Sequence, residues 1–232
     1  MCWIAIIAVA GITLFMVWAS ADVGSGIYLK SLCRATTRDK VVALTFDDGP
    51  HAEHTPRVLD VLKEHNTPAT FFVVGGNVER NPELVRRMVN EGHIVANHTY
   101  SHRGTLPISS YRRVCAELNR CNEAIATTTR RRTMLFRPPF GVTNPIIGRA
   151  VRELGLQSIG WSIRSLDTIS HRSREEVCQR VIRRLRGGDI ILLHDRCEDA
   201  DKLARMIITQ ATSQGYRFVS LEELLNVKAY ED

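Results

Sequence analysis

The chain has 232 residues, 44% of them hydrophobic and 24% charged, with 31 Lys+Arg against 25 Asp+Glu for a formal net charge of +6. Those proportions exclude a disordered, collagenous or low-complexity chain, and the length suits a single α/β domain. The positive balance favours contact with anionic polymers but identifies no partner.

Met1 to Ala21 carries no charged side chain, and Trp3 to Ala21 is nearly all apolar, about the 20 residues that a bilayer-spanning helix needs. The run closes on Ala19-Ser20-Ala21 before Asp22, a small-residue pattern that a signal peptidase could cut. Residues 1–21 are therefore expected to be a signal peptide or transmembrane anchor. Residues 22–39 are expected to be a connector, with Gly24 and Gly26, and 40–232 the folded domain. Lys30, Arg34, Arg38 and Lys40 follow the apolar run, so the positive-inside rule taken literally keeps the body in the cytoplasm. Cys33, Cys115, Cys121, Cys178 and Cys197 show no framework-like spacing and read mostly as buried small hydrophobes, with one disulfide left open.

Beyond the connector, β-type runs alternate with helical patterns without a linker or an internal repeat. Strands are expected at Val41–Phe46, Thr70–Val74, Ile94–Ala96, Leu135–Arg137, Gln157–Trp161, Asp189–Leu193 and Phe218–Val219. Thr55-Pro56, Asn81-Pro82 and Asn144-Pro145 read as helix starts, each with a capping residue before a proline at the first helical position. Ser173 with Glu176 and Ser220 with Glu223 have capping-box spacing. Gly92, Gly155, Gly187 and Gly215 sit where helices should stop. Such alternation implies a parallel sheet with right-handed crossovers, either a closed or nearly closed barrel or an open doubly wound sheet.

Polar residues gather where those strands end. Asp47 and Asp48 close the first, His98 to His102 follow the third, Arg137 to Gly141 the fourth, Ser165-Leu166-Asp167 the fifth, and His194-Asp195 the sixth. In a parallel barrel the C-terminal strand ends share one rim, where such enzymes build their sites. Asp47-Asp48-Gly49-Pro50 also has the composition of a plain turn. Two adjacent carboxylates at the end of a dry strand nevertheless repel unless a cation or an arginine compensates them, and a metal ion is the economical answer. His98 and His102, four apart, would share one side of a helical turn and could join a carboxylate on a divalent ion, leaving positions open for catalysis. Arg137 is stiffened by the two prolines after it; His194, taken alone, could equally be a core-edge residue.

Thr45 to Pro50 (Thr-Phe-Asp-Asp-Gly-Pro), His98 to His102 (His-Thr-x-x-His), Arg137 to Gly141 (Arg-Pro-Pro-Phe-Gly) and Leu192 to Asp195 (Leu-His-Asp after a leucine) resemble, in this order and at these separations, the polysaccharide deacetylase family, the NodB-homology or carbohydrate esterase 4 group. The resemblance covers roughly Lys40 to Leu225 and implies a distorted (β/α)7 barrel, the TIM-like NodB-homology fold. It also implies a hydrolase that removes N-acetyl groups from N-acetylglucosamine-containing glycans such as peptidoglycan or chitin-like oligosaccharides. By the same resemblance Asp48, His98 and His102 would hold one divalent metal, usually zinc, with Co2+, Ni2+ or Mn2+ as substitutes. Asp47 would be the general base, oriented by Arg137, and His194 the general acid, tuned by Asp167. The Phe140 N–H would help hold the oxyanion, and Leu192 would line the pocket for the acetyl methyl.

The segment Gly160 to Thr168 departs from the family pattern: Thr168 stands where a tryptophan is common, and Ser162 and Arg164 where acidic residues often occur. Phe140 replaces the more frequent tyrosine. These changes leave the metal and acid/base set intact and put the groove wall in doubt. An O-acetyl esterase or a small cyclic-amide hydrolase on the same ligands, and a non-catalytic carbohydrate-binding member, are the competing readings. Arg130-Arg131-Arg132 and the Arg180, Arg183, Arg184, Arg186 series read as solvated surface, and no aromatic-basic platform for nucleic acid is visible. An envelope substrate would place the active domain outside the cytoplasmic membrane, held there or released by the 1–21 segment, against the literal charge rule.

Overall fold

The computed structural model describes residues 2–231, so Met1 of the expected leader and Asp232 of the expected domain lie outside it. Eight parallel strands form the sheet: β1 (Val41–Asp47), β2 (Ala69–Val73), β3 (Ile94–Asn97), β4 (Leu135–Phe136), β5 (Gln157–Ser158), β6 (Ile163–Arg164), β7 (Ile190–His194) and β8 (Arg217–Phe218). Seven run in the order β5-β4-β3-β2-β1-β7-β6, and β8 adds to the start of β1. The expected distorted barrel is thus present as an open one, with its seam between β5 and β6. One expected strand, Gln157–Trp161, is shorter than read. The chain leaves the sheet after Ser158 and returns as β6, which pairs with β7 at Ile163↔Ile191 and Arg164↔Leu192. Ser165 to Asp167 therefore follow the sixth strand rather than the fifth.

The helices are α1 (Cys2–Ala21), α2 (His54–Glu64), α3 (Gly75–Arg80), α4 (Pro82–Asn90), α5 (Tyr111–Thr129), α6 (Pro145–Glu153), α7 (Arg174–Arg184), α8 (Ala200–Ser213) and α9 (Leu221–Leu225). Asn144 caps α6 by accepting from the Ile147 N–H, and Ser173 closes a reciprocal capping box with Glu176 on α7. Thr55 is not a cap: α2 begins one residue earlier, and the Thr55 hydroxyl is spent on a buried carboxylate described below. Gly187 is not the stop of α7 either, since that helix ends at Arg184 and the left-handed residue is Gly188.

The strands are buried on both faces, yet period-2 alternation still sorts their side chains. On β1, Val42, Leu44 and Phe46 pack outward with Val58, Leu62, Ile207 and Ile208 of α2 and α8. Ala43 lies on the inner face with Phe72, Ile94, Ala96, Leu135 and Ile190. The same alternation carries the inner face forward to Thr45 and Asp47, from Ile94 and Ala96 to His98, from Leu135 to Arg137, and from Ile190 to His194. Register aligns the ends: Asp47 pairs with His194 and Val73 with Asn97. The rim is therefore the last inward-facing position of four parallel strands.

The segment ahead of β1 closes the seam. Leu32 bridges to Ile159 and Arg34 to Asp189, so the chain lies between β5 and the start of β7. Leu32 donates its N–H to the Ser158 carbonyl and accepts from the Gly160 N–H, both at 2.9 Å. Asp189, fully buried, takes an ion pair from the half-exposed Arg34 and bonds from Ser162 and Arg186. α1 leaves its apolar side chains exposed, Trp3, Ile4 and Ile7 among them, and meets the body in its last turn, where Ser20 accepts from the Thr143 N–H. Among the described residues no helix is long and apolar enough to cross a membrane, so the anchoring half of the leader expectation gains no support from the fold. Cys33, Cys115, Cys121, Cys178 and Cys197 are all free.

The strap, this segment ahead of β1, approaches β7 closely: a Cβ at Gly187 would collide with the Asp39 carbonyl, and at Gly188, which has φ +84°, with the Ala35 carbonyl. Gly155 is also left-handed but has open space around it. Gly155→Ala is expected to cost only the backbone term, about 1–2 kcal/mol, and Gly188→Ala clearly more, as read from denaturant midpoints. Equal losses would mean that the strap contributes little.

Candidate active site

Arg137 is the largest fully buried side chain of the rim, with no exposed surface. Its Nη1 donates to Asp47 Oδ1 at 2.7 Å and to Thr45 Oγ1 at 2.8 Å, its Nη2 to the Gly160 carbonyl at 2.8 Å, and its Nε to the Ile159 carbonyl at 3.2 Å. The guanidinium carbon lies 3.9 Å from the centre of the Phe72 ring. Burial pulls the Arg137 pKa down and the Asp47 carboxylate opposes that, and the cation stays charged because guanidinium does not lose its proton in proteins. Asp47 is thereby clamped through one oxygen, which leaves Oδ2 turned toward His98 Nε2, 3.8 Å away.

The main chain of the same arginine sets the first histidine. His98 Nδ1 lies 2.8 Å from the Arg137 carbonyl, an acceptor only, so Nδ1 bears the proton and Nε2 presents its lone pair. His98 Nε2 is 3.5 Å and His102 Nε2 3.1 Å from Asp48 Oδ1, and one ligand atom from each of the three lies within 4.8 Å of the others. The expected helical turn between the histidines is not present. They sit on a loop in which Thr99 and His102 have positive φ, held by Asn97 Oδ1 on the Thr99 N–H and by Glu117 on the N–H and hydroxyl of Ser101. Asp48, Thr99, His102, Phe140 and Leu166 account for five of the nine non-glycine residues with positive φ among the described residues, a concentration of backbone strain at one rim.

Burial pushes the Asp48 carboxyl upward, but hydrogen bonding from His98, the charges of His98 and His102, and the Arg196 hydrogen bond outweigh it and hold the group far below the usual carboxylate range. His102 is pulled down by burial and by His98. Two imidazoles and a carboxylate, with open space beside them, match the donor set of a divalent metal in a catalytic site.

On the other side of Asp47, His194 Nδ1 bonds Asp167 Oδ1 at 2.8 Å, and the His194 N–H donates to Asp167 Oδ2 at 2.7 Å. Ser165 Oγ donates to the same carboxylate. Burial lowers the His194 pKa, but the Asp167 hydrogen bond and charge, with Asp47 and Asp48 beyond, bring it to a net raised value. Phe140, with φ 60°, leaves its side chain 54% exposed and its ring 4.8 Å from that of His102. Leu192 is buried in β7, two residues before His194. All nine residues singled out in the sequence thus belong to the rim or the strands that form it.

Two participants, Arg196 and Asn77, escaped the sequence reading, and a third, Asp195, was named there without a role. Arg196 Nε donates to Asp48 Oδ2 at 2.7 Å, and only its place next to Asp195 in the His194 motif could have flagged it. Asn77 Nδ2 holds the Asp48 carbonyl at 2.8 Å from α3, a contact set by tertiary docking that no local pattern announces. Asp195, fully buried, accepts from Thr55 Oγ1 and would collide with any Cβ at Gly49; burial, with the Asp48 charge, pushes its pKa up to about 7 against the Thr55 hydrogen bond.

A family model described as Polysaccharide deacetylase matches residues 34–159. A peptidoglycan-N-acetylglucosamine deacetylase of Bacillus cereus is 35% identical over 195 residues, covering 82% of this chain and 90% of its own. A chitooligosaccharide deacetylase of Sinorhizobium fredii is 37% identical over 199 residues, covering 85% and 90%. The crystal structure of a peptidoglycan N-acetylglucosamine deacetylase in complex with 4-naphthalen-1-yl-N-oxidanyl-benzamide superposes with a TM-score of 0.82 at 30% identity, over 87% of this chain and 95% of that one.

His102→Ala removes one donor of the three, so divalent-cation affinity, measured by competition with a chromogenic chelator, is expected to fall by more than the roughly 10- to 100-fold that loss of an outer partner costs. Unchanged affinity would place the ion elsewhere.

Proposed function

The chain belongs to the polysaccharide deacetylase family, and from that premise we propose that it hydrolyses the N-acetyl group of N-acetylglucosamine-containing glycans of the peptidoglycan or chitin type, releasing acetate. The observation that carries this reading is the presence of two oppositely paired groups, Asp47 held by the Arg137 cation and His194 by the Asp167 anion, on either side of one candidate metal triad.

Asp48, His98 and His102 would hold the ion, zinc by the chemistry of one carboxylate and two imidazoles. When bound, such an ion supplies Lewis-acid polarisation of the acyl oxygen and brings the pKa of a water toward about 7. Asp47 Oδ2 takes the proton of the attacking water, its other oxygen being fixed by Arg137. The Phe140 N–H donates to the oxygen that gains charge as the acyl carbon becomes tetrahedral, a role in which its ring identity matters little. His194 presents Nε2 to the departing amine and hands over its proton, and Asp167 on Nδ1 keeps that proton available at higher pH. Leu192 lines the wall that accepts the acetyl methyl. Free amine on the sugar and acetate result. A substrate of the cell envelope places the active domain outside the cytoplasmic membrane, with residues 1–21 serving export; protease accessibility on intact cells tests that placement.

Mass spectrometry of the zinc-loaded protein on peptidoglycan fragments and chitooligosaccharides is expected to show loss of acetyl groups that a chelator stops, with O-acetyl sugars as the competing arm. Asp47→Asn is expected to lower the rate roughly 100- to 10,000-fold; full activity in that variant would end the assignment. In Asp167→Asn, burial is left to dominate His194, so the alkaline limb of kcat/KM is expected to move to lower pH. An alkaline limb that stays in place would show that another group donates the proton.

A further inference from the structure

The metal ligands do not stand at the middle of a neutral cleft. A groove of about 650 Å³ opens beside them, and Asp48 and His102 form part of its wall together with Arg80, Arg103, Arg196 and Glu79. Each guanidinium is tied to the ligand set by a different route. Arg196 bonds the Asp48 carboxylate directly. Arg80 donates to Asn77 Oδ1, and Asn77 in turn holds the Asp48 carbonyl. Arg103 follows His102 in the chain, is exposed, and its side chain has no hydrogen-bond or ionic partner among the described residues.

Two carboxylates share the groove: Asp48 is paired with Arg196, and Glu79 accepts from the Tyr100 hydroxyl. Arg80 and Arg103 therefore face the groove without a carboxylate partner among the described residues, and Arg196 meets Asp48 through Nε alone. Arginine is the side chain suited to planar recognition of carboxylates.

We propose that Arg80, Arg103 and Arg196 form a carboxylate subsite that selects acidic N-acetylated glycans over neutral ones, an inference that rests on the deacetylase reading above. In a glycan of the peptidoglycan type the carboxylate has two sources, the lactyl ether of the muramyl sugar or the peptide attached to it.

The test compares kcat/KM of the zinc-loaded full chain and its Arg80→Gln/Arg103→Gln variant on three substrates. These are a neutral N-acetylglucosamine tetramer, a muramyl-containing tetrasaccharide with free lactyl carboxylates, and the same tetrasaccharide bearing stem peptides. The acidic-to-neutral ratio is expected to fall by about tenfold in the variant, one charged hydrogen bond's worth. A fall confined to the lactyl arm identifies that carboxylate, and one confined to the peptide arm identifies the other; either supports the subsite. Equal losses on all three substrates, or no loss, overturn it. If no substrate is turned over, the deacetylase reading fails on its own, and calorimetry of the same glycans with Asp47→Asn, with and without the two arginine substitutions, still decides. Tighter binding of acidic glycans that disappears with the arginines upholds the subsite, and binding without that preference, or none, removes it.

Discussion

One buried cation organises the rim. Removing a guanidinium from water costs several kcal/mol, and such a charge persists only where its donors are matched. Arg137 meets two side-chain acceptors on β1 and two carbonyls after β5, and lies against Phe72 from β2. Its own carbonyl then fixes the tautomer of His98 at the end of β3. A single residue thus joins four strands and sets both the proposed base and the first metal donor. The carbonyls it uses, Ile159 and Gly160, are kept in place by the strap through Leu32, so the stretch ahead of β1 bears on the chemistry without touching it.

The second organising constraint is opposition of environment. Asp47 and His194 are register partners on neighbouring strands, about 5 Å apart in the pairing direction, yet one is clamped by a cation and the other by an anion. The arrangement separates a proton acceptor from a proton donor within one small space. It also links to stability. The raised His194 value adds stability that is fully present below the ordinary histidine pKa and is lost as pH rises through the folded one, whereas the depressed Asp48 value adds stability present above the ordinary aspartate pKa and lost in acid.

Much of this was legible in the chain because a charged or titratable side chain at the end of a dry strand is costly to bury unless something pairs with it. Asp47 and Asp48 stand out on that ground, Arg137 and His194 only through the motifs they belong to, and the alternation of buried strands carries Asp47, Arg137 and His194 to the inner face. His98 and His102 were chosen on a helical spacing that the loop does not have; the rings do meet beside Asp48, but on a loop in which Thr99 and His102 are left-handed. β6 escaped because two residues, Ile163 and Arg164, become a strand only through pairing with β7. α3 opens on Gly75-Gly76, poor helix formers, and exists by docking: a Cβ at Gly75 would press on Tyr100 and α5. Arg34 looked like a membrane-flanking charge and is the partner of a fully buried aspartate. Each of these depends on contacts between distant segments, which local pattern does not encode.

The dependence of Asp47 on Arg137 is open to a double-mutant cycle on kcat/KM, using Asp47→Asn, Arg137→Met and the pair, with folding followed by circular dichroism. If the arginine acts by holding the aspartate, the double variant is expected to be no slower than the slower single variant, and to regain some of the stability that Arg137→Met loses by leaving a buried carboxylate unpaired. Rate losses that multiply, with no recovery of stability, would mean that the two residues act separately and would contradict the account.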